Sequence, residues 1–575
     1  MSANQSNLSD VHYGYDFVIA TSQASINATM QEYLYNTQFA LVQMYWNQDA
    51  SGNPVVVSRE DLLKQTNGTD PLKVATWKAG DPATPDITNI SNSNFYFGFE
   101  AAIGIPATMA PGSIPDIVVL QEASQSVFYT MMCAQFTVVS CNFGRHGLIS
   151  LENDAQSDNA PWEFTSTIPL KKLVSNNDLP DVVQARLGAL GPDAFSVQQL
   201  LLDLDNAILN TFPTIVGVKP GTMVYNLLSQ VFLGAYFDEM KKSKMPVLGY
   251  TIMKNTQTAD PSTLTLTNMV LEVSPFQPVT GPTSDLNTLN YLCAVDGDGL
   301  PAAAPFGWNW LETGDEANFD GVIAIKRIEF LNYLNTTCSP DLADLNIVPS
   351  VSMTHSGETM YSTWSFTKPG GAGQAFTVQP IGQAQVDGFT PILAYALNNN
   401  SSDDTHDALH TLKMNGTFNY SVTVNIGVSG NTIRMKTHIV VYLNFWYGGY
   451  DGGQLASFDG NVIDYTNTVD YTMSVAGGAM VVREETSTVQ DNSQRLNDSG
   501  WDQFIVGGMV DCMNDITNYL KPVAQSSMTA FASDIASSLN GYRGWVFPGG
   551  KTFSFKDVSF SDYQDFVSRI TYVQP

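Results

Sequence analysis

Several short patterns in the sequence resemble the chemical motifs of enzymes, but each lacks a residue that the chemistry needs. Gly549–Thr552 resembles the end of a nucleotide-binding P-loop, yet the position that must hold its first glycine is Trp545. The following letters, KTFSFKDVSF, alternate as in a β-strand, whereas a P-loop opens a helix. An ordinary glycine turn is the better interpretation, and we expect no nucleotide or other cofactor.

A second pattern, HDALH, has the histidine spacing of a zinc-binding HExxH helix. His406 and His410 are four residues apart, but Asp407 stands where the catalytic glutamate belongs. Two histidines at this spacing can bind the same metal ion only when the segment is a helix. This segment instead follows a polar stretch and leads into a predicted strand. We therefore predict a solvated loop and no metal site.

The sequence holds no GxSxG nucleophile motif, and its carboxylates are too scattered to single out a catalytic pair. An enzyme of 575 residues usually leaves a readable group of catalytic residues. We therefore predict that the protein is not an enzyme and has no catalytic residues. A hydrolase whose site cannot be read from the sequence is kept as an alternative.

The charge of the chain excludes two classes of partner. The sequence has 26 Lys and Arg against 55 Asp and Glu, a formal net charge of −29. Nucleic acids and anionic membranes both attract clusters of basic residues, so we expect neither a nucleic-acid partner nor a polybasic membrane contact. No apolar run approaches the ~18 residues of a transmembrane segment, and the first residues lack a signal-peptide pattern. We expect a soluble protein, secreted or extracellular by a non-classical route rather than strictly cytoplasmic. Five cysteines without CxxC spacing predict free buried thiols.

Apolar residues at helical spacing predict four main helical zones. They cover about residues 23–46, a zone from Ser196 to Ile208 that opens with a capping box of Ser196 and Gln199, about 223–243, and about 504–539 with a break at Pro522. A shorter helix is expected around Phe330. Strands are predicted near residues 95–107, 117–120, 135–141, 264–273, 289–295, 321–325 and 551–573.

The strongest strand pattern is a long hairpin. Phe418–Val428 alternates without a break, Ser429–Thr432 forms a turn, and Ile433–Phe445 alternates back. These arms are about twice the usual strand length of ~5–6 residues. Because twist accumulates along strands, we expect them to coil around a long helix. The predicted fold class is α+β, elongated, with long helices wrapped by strongly coiled antiparallel sheets.

A helix inside a coiled sheet leaves room for a tube that could hold an apolar ligand. The helical stripes are wider than one sheet face needs, so one flank of each could line this tube, although for any single stripe a close-packed core is the better interpretation. The candidate lipid-binding residues are Ile26, Met30, Leu34, Leu227, Leu228, Val231, Phe531, Ile535 and Leu539.

Three blocks of the sequence resemble the clostridial OrfX-type accessory proteins that are encoded beside botulinum neurotoxins. The blocks are Tyr13–Val18 with Ile26 and Asn27; Leu289–Cys293 with Trp308–Trp310, Phe319–Ile325 and Phe330; and Phe553–Val558 with Asp562, Asp565 and Phe566. The polar insertion at residues 47–93 does not align with this pattern. The family belongs to the TULIP (tubular lipid-binding) superfamily.

This resemblance implies a TULIP-like fold, binding of a lipid or other apolar small molecule, and a role beside a toxin or in insect killing. The family offers no invariant functional residue that can be placed on this chain. We expect two TULIP-like modules, residues 1–250 and 251–575. The main alternative is a β-rich protein–protein interaction component of a toxin complex that carries no lipid.

Overall fold

The computed structural model describes residues 2–120, 126–174, 195–202, 207–242, 247–254, 266–277, 284–295, 297–369, 375–494, 503–526 and 552–573. Within these residues the α-helices are α1 Gln23–Asn36, α2 Arg59–Gln65, α3 Pro85–Ser93, α4 Met223–Lys242, α5 Arg327–Asp344 and α6 Gln503–Ser526. Short polar side chains cap the first three. At α1, for example, the Ser22 hydroxyl accepts a hydrogen bond from the Ser25 amide at 3.1 Å.

The strands of the first half are β1 Phe17–Ser22, β2 Val42–Gln48, β3 Pro54–Val57, β4 Trp77–Lys78, β5 Phe95–Ile103, β6 Val118–Leu120, β7 Ser126–Met131, β8 Cys133–Gly144, β9 Gly147–Ala155, β10 Phe164–Val174, β11 Phe195–Leu202, β12 Ile208–Thr211 and β13 Val247–Lys254. The strands of the second half are β14 Leu266–Ser274, β15 Thr288–Val295, β16 Gly321–Ile325, β17 Val348–Ser356, β18 Thr359–Thr367, β19 Thr377–Val378, β20 Thr390–His406, β21 Leu412–Ser429, β22 Thr432–Gly449, β23 Gln454–Ala476, β24 Ala479–Asp491, β25 Thr552–Phe555, β26 Ser559–Phe560 and β27 Phe566–Val573.

A seven-stranded antiparallel sheet joins distant parts of the chain in the order β14-β15-β1-β16-β27-β25, with β26 also on β27. Its central strands are fully buried. The three sequence blocks that carry the OrfX resemblance supply most of these strands. The sheet also combines β1 with strands from beyond residue 250, while the division into modules 1–250 and 251–575 stays a prediction.

Three further sheets of the described chain each contain six strands. One runs β3-β2-β5-β8-β9-β4, and a second runs β13-β11-β10-β7-β6 with β12 on β10. The third is β19-β20-β21-β22-β23-β24 and contains the long hairpin. The remaining sheet is the β17–β18 pair.

The predicted long hairpin is confirmed, but the predicted coiling around a helix is wrong. β21 and β22 pair from Leu412↔Gly449 to Ser429↔Thr432 without a register shift. Sheets bend sharply where bulges interrupt the pairing, and this pair has none. Within the described residues the antiparallel sheets are flat rather than strongly coiled, and no long helix is wrapped by a curled sheet. The TULIP-like fold class is therefore contradicted, and helices cover sheet faces instead.

Two helical predictions also need correction. Ser196–Ile208 was expected to be a helix, but Phe195–Leu202 forms β11, which pairs with both β10 and β13. Pairing on both edges satisfies the backbone and outweighs a weak local helical preference. The helix predicted at 23–46 ends at Asn36, and β2 follows. In contrast, α4 forms almost as predicted, and α6 passes through Pro522 instead of breaking there.

Most buried apolar side chains belong to one continuous core that α1, α4, α5 and α6 share with the sheets. A separate cluster lies on the other face of the seven-stranded sheet, under Phe306, Trp308 and Trp310. All five cysteines are buried and free, as predicted. No helix in the described ranges combines the length and the apolar character that crossing a membrane would require.

Candidate apolar ligand site

A small apolar pocket lies between α5 and the sheet that contains the long hairpin. Cys338 and Leu342 of α5, with Leu345 just after it, line one side. Phe376 lines a second side, and the remaining lining residues are Val424 of β21 and Met435 and Thr437 of β22. Of the described lining residues, none is charged and none is a histidine. The pocket can therefore exclude water from an apolar group, but it offers no acid–base chemistry.

The floor of the pocket is built by the register of the long strands. Tyr395 on β20 pairs with Val424 on β21, and Val424 pairs with Thr437 on β22. Thr437 in turn pairs with Asn467 on β23. Since directly paired residues of adjacent strands point to the same face, these four buried side chains form one row across the sheet. The alternation in the sequence predicts which side chains face inward. It does not predict which of them stand side by side, because that depends on how the strands pair.

One residue of this row has an unmet hydrogen-bonding group. The Tyr395 hydroxyl is buried and has no hydrogen-bond partner in the described part of the chain. Burial raises the pKa of this hydroxyl above its usual value, so it stays protonated at neutral pH. The Tyr395 ring lies 6.2 Å from the ring of Phe376, which lines the pocket. A buried hydroxyl without a partner costs free energy, and an oxygen atom of a ligand would satisfy it.

Hydrogen bonds hold the walls around the pocket in place. The side-chain oxygen of Asn335 on α5 accepts from the Phe376 amide at 2.8 Å and from the Ser339 hydroxyl at 3.0 Å. The Tyr420 hydroxyl of β21 donates to the Leu345 carbonyl at 2.5 Å. The part of α5 that lines the pocket is therefore held on both sides, by the contact of Asn335 with Phe376 and by the contact of Leu345 with Tyr420. The sequence offers no signal for the contacts of Phe376 and Tyr420, because they join residues 41 and 75 positions apart.

The free space in the pocket is about 20 Å³, close to what one water molecule needs. An acyl chain enters only if lining side chains move. Met435 is suited to this because its side chain is unbranched and has several rotatable bonds. Phe376 is not part of a helix or strand of the structure, so it can be displaced without breaking a sheet.

The sequence-predicted candidates on α1 lie away from this pocket, in the main core. Ile26, Met30 and Leu34 are all buried on one face of the helix. This face is fixed by Asn27, whose amide group donates to the Val118 carbonyl at 2.9 Å and accepts from the Val118 amide at 2.8 Å. The stripe therefore packs α1 against β6. A lipid contact for these residues stays a prediction.

The candidates on α4 differ in burial. Leu228 is fully buried, while Leu227 and Val231 on the flank of the helix are half-buried and pack against the same core. Their role in lipid binding also stays a prediction. The C-terminal candidates Phe531, Ile535 and Leu539 lie outside the described residues.

The HDALH segment forms a turn between β20 and β21. The rings of His406 and His410 have centroids 3.7 Å apart. The Asp407 carboxylate accepts hydrogen bonds from the amides of Thr411 and Leu412 at 2.6 and 2.8 Å. Its function here is to hold the turn.

One carboxylate cluster has the spacing of a metal site. Oxygen atoms of Asp16, Asp298 and Glu329 lie within 4.8 Å of one another. Asp16, however, already accepts from the Val295 amide at 2.9 Å and lies 3.4 Å from the Lys326 ammonium. Burial raises the pKa of Asp16, and the nearby Asp298 adds to this shift. The cluster is explained by its protein partners, and we assign it no metal.

Comparison with known proteins gives structural matches only. No family model and no curated protein matches the sequence. A crystal structure of P47 of Clostridium botulinum E1 matches 98% of this chain and 100% of that chain, with 8% identity and a TM-score of 0.40. A crystal structure of a lipopolysaccharide binding protein matches 97% of this chain and 99% of that chain, with 9% identity and a TM-score of 0.25. The structural neighbours thus include a Clostridium botulinum protein and a lipopolysaccharide binding protein, and both TM-scores are low.

Proposed function

We propose that the protein is a non-enzymatic binding protein for a lipid or similar amphipathic molecule, whose apolar part enters the pocket beneath α5. One observation carries the proposal: Phe376 of an uncharged, mainly apolar pocket packs near the ring of Tyr395, whose buried hydroxyl has no partner among the described residues. This combination suits a ligand with an apolar body and a single polar oxygen-bearing end.

The driving force would be desolvation of the ligand. Each CH₂ group moved from water into the pocket contributes about 0.8 kcal/mol. Opening the pocket costs part of this gain because Met435 and Phe376 must repack. The Tyr395 hydroxyl would donate to an oxygen of the ligand and so set its orientation.

A displacement assay with a fluorescent fatty-acid analogue tests the proposal. We compare Met435→Trp, which fills the pocket, with the matched control Met414→Trp on the adjacent strand. Met414 is also buried in this core but does not line the pocket. Met435→Trp should weaken binding about tenfold or more, whereas Met414→Trp should bind like the parent even if it melts earlier.

A second variant tests the polar end of the pocket. Tyr395→Phe removes the unpartnered hydroxyl and keeps the ring, so the unliganded protein should be as stable as the parent or slightly more stable. The variant should lose its preference for a fatty acid over an alkane of equal length. A parent protein that binds no fatty acid, or equal binding by both Trp variants, would reject the pocket and favour the protein–protein interaction alternative.

A further inference from the structure

A second cavity, of about 310 Å³, opens beside the cluster of Phe306, Trp308 and Trp310, on the face of the seven-stranded sheet that points away from the main core. It lies where the segment before β1 meets the loop before β16 and the turn before β27. Three aromatic residues line it, Tyr13, Trp308 and Tyr563. The volume is at the lower end of the ~300–1,000 Å³ range of small-molecule sites.

The aromatic wall of this cleft is held rigidly. The Tyr13 ring stacks on Phe306 with centroids 5.1 Å apart and meets the Trp308 ring edge-on at 5.0 Å. The Tyr13 hydroxyl accepts a hydrogen bond from the Gly307 amide at 3.0 Å. The wall is thus formed before any ligand arrives, which lowers the entropic cost of binding.

The opposite wall is also fixed by hydrogen bonds. The Asp562 amide donates to the Asn4 carbonyl at 2.7 Å, and the Ser561 hydroxyl donates to the Ser6 carbonyl at 2.8 Å. These contacts join the segment before β1 to the turn before β27. The polar side chains of Asn7, Asp10 and Asp562 line the cleft on this side.

Two buried polar atoms of the lining residues have no partner among the residues that the structure describes. The indole N–H of Trp308 is a donor without an acceptor, on a side chain only 8% exposed, and the side-chain oxygen of Asn7 is an acceptor without a donor. Both atoms are closed to solvent, so a ligand in the cleft meets the open polar side chains instead: Gln5 carries an amide donor and acceptor, and Asp10 and Asp562 carry acceptors. A ligand that fits must therefore offer both hydrogen-bond acceptors and donors.

The chemistry of the lining narrows the ligand class. Among the described lining residues there is no Lys or Arg, and Asp10 and Asp562 repel anions, so a phosphate does not fit. An ammonium group has donors only and leaves the amide donor of Gln5 without an acceptor. An apolar ligand leaves all of these polar side chains without a partner. Hydroxyl groups both donate and accept, and the C–H face of a sugar ring matches an aromatic face.

We propose that this cleft binds a neutral carbohydrate, with Tyr13, Trp308 and Tyr563 contacting the sugar ring and the polar side chains binding its hydroxyls. This site is separate from the apolar pocket and does not depend on the lipid proposal. The sugar is either free or the head group of a glycolipid, because both present the same hydroxyl chemistry.

Saturation-transfer NMR with glucose, galactose, mannose, N-acetylglucosamine and lactose tests the proposal. The key variant is Tyr563→Ala, and its matched control is Tyr361→Ala on β18. The two tyrosines are 40% and 39% exposed, so both variants should fold. Tyr563→Ala should weaken binding of the preferred sugar about tenfold, while Tyr361→Ala should not change it. Asn7→Ala should also weaken binding, because it removes a polar side chain that lines the cleft.

Vesicle binding separates the two sources of the sugar. We use phosphatidylcholine vesicles with and without lactosylceramide. Binding of soluble lactose supports a free glycan, and binding only to the lactosylceramide vesicles supports a glycolipid head group. The proposal is overturned if no sugar and no glycolipid vesicle binds, if plain vesicles bind equally well, or if Tyr563→Ala binds like Tyr361→Ala. None of these results depends on Met435, so the lipid proposal is judged separately.

Discussion

Asp565 holds together segments that are far apart in sequence. One oxygen of its buried carboxylate accepts from the Ser6 hydroxyl at 2.8 Å and the Leu8 amide at 2.7 Å. The other accepts from the Arg327 amide, at the start of α5, at 2.9 Å. Asp565 thus fixes the segment before β1, which forms one wall of the cleft that we propose binds a carbohydrate. Burial raises the pKa of Asp565 to about 6, although these hydrogen bonds act to lower it.

Asp565→Ala should lower the free energy of unfolding by about 1–3 kcal/mol, because buried amide groups of Leu8 and Arg327 lose their acceptor. Urea denaturation of the parent and the variant measures this change. Asp562→Ala is the control, since Asp562 is an exposed carboxylate only three residues away. Equal loss of stability in both variants would show that the buried contacts of Asp565 contribute nothing special.

The difference in unfolding free energy between the parent and Asp565→Ala should depend on pH. The raised pKa means that the folded protein keeps a proton which the unfolded chain releases, so this contribution to stability is complete below about pH 4 and is lost as the pH rises through about 6. The stability difference between the parent and Asp565→Ala should therefore shrink across this window, by roughly 3 kcal/mol at most. A difference that grows with pH would show that the hydrogen bonds outweigh burial.

At the scale of elements, α4 shows what a stripe of apolar residues can and cannot predict. The buried side chains Val224, Leu228, Phe232, Tyr236 and Met240 recur every four residues and face the core. This spacing was enough to predict the helix but not its inward face: of the residues assigned to that face from the sequence, Leu227, Leu228 and Val231, only Leu228 is fully buried. It was not enough to decide whether the neighbouring Leu227 and Val231 line a cavity or pack against the core, because that depends on the sheet opposite.

Truncation of the two adjacent leucines on α4 should separate the buried face from its flank. Leu228→Ala should cost about 2–5 kcal/mol of unfolding free energy, because it leaves a cavity in a closed core. Leu227→Ala serves as the control and should cost clearly less, since its side chain is only half-buried. Equal costs, measured by denaturant unfolding, would contradict the assignment of faces.

The long hairpin and β11 mark where prediction from sequence succeeded and where it failed. Alternation over Phe418–Phe445 determined strands, turn and register, because all three are local properties. The shape of the sheet depends on bulges and on which elements cover it. Neither can be predicted from the alternation of apolar and polar residues. At Ser196, a local capping pattern was outweighed by pairing with two distant strands. The cleft was missed for the same reason: Tyr13, Trp308 and Tyr563 meet only through the seven-stranded sheet.

At the scale of the whole molecule, a high negative charge surrounds a large apolar core. The formal net charge is −29, so carboxylates repel one another in the compact state. Among the described residues, four carboxyl groups have a pKa that burial raises: Asp16, Asp116, Glu272 and Asp565. The exposed Asp10 and Asp49 have a lowered pKa because backbone amides donate to them, but solvent screens such groups.

These features together predict a protein that is most stable under mildly acidic conditions or in salt. Each buried carboxyl group with a raised pKa loses its contribution to stability as the pH rises, and deprotonation also increases the repulsion across the surface. Salt screens the repulsion, so added salt should raise the melting temperature more at about pH 8 than at about pH 5. A melting-temperature scan over pH and salt measures both trends. A maximum above about pH 8 at low salt would mean that paired carboxylates, which favour high pH, outweigh the buried ones. In that case the negative charge of this protein would be a property of its surface and solubility, with little influence on its folded stability.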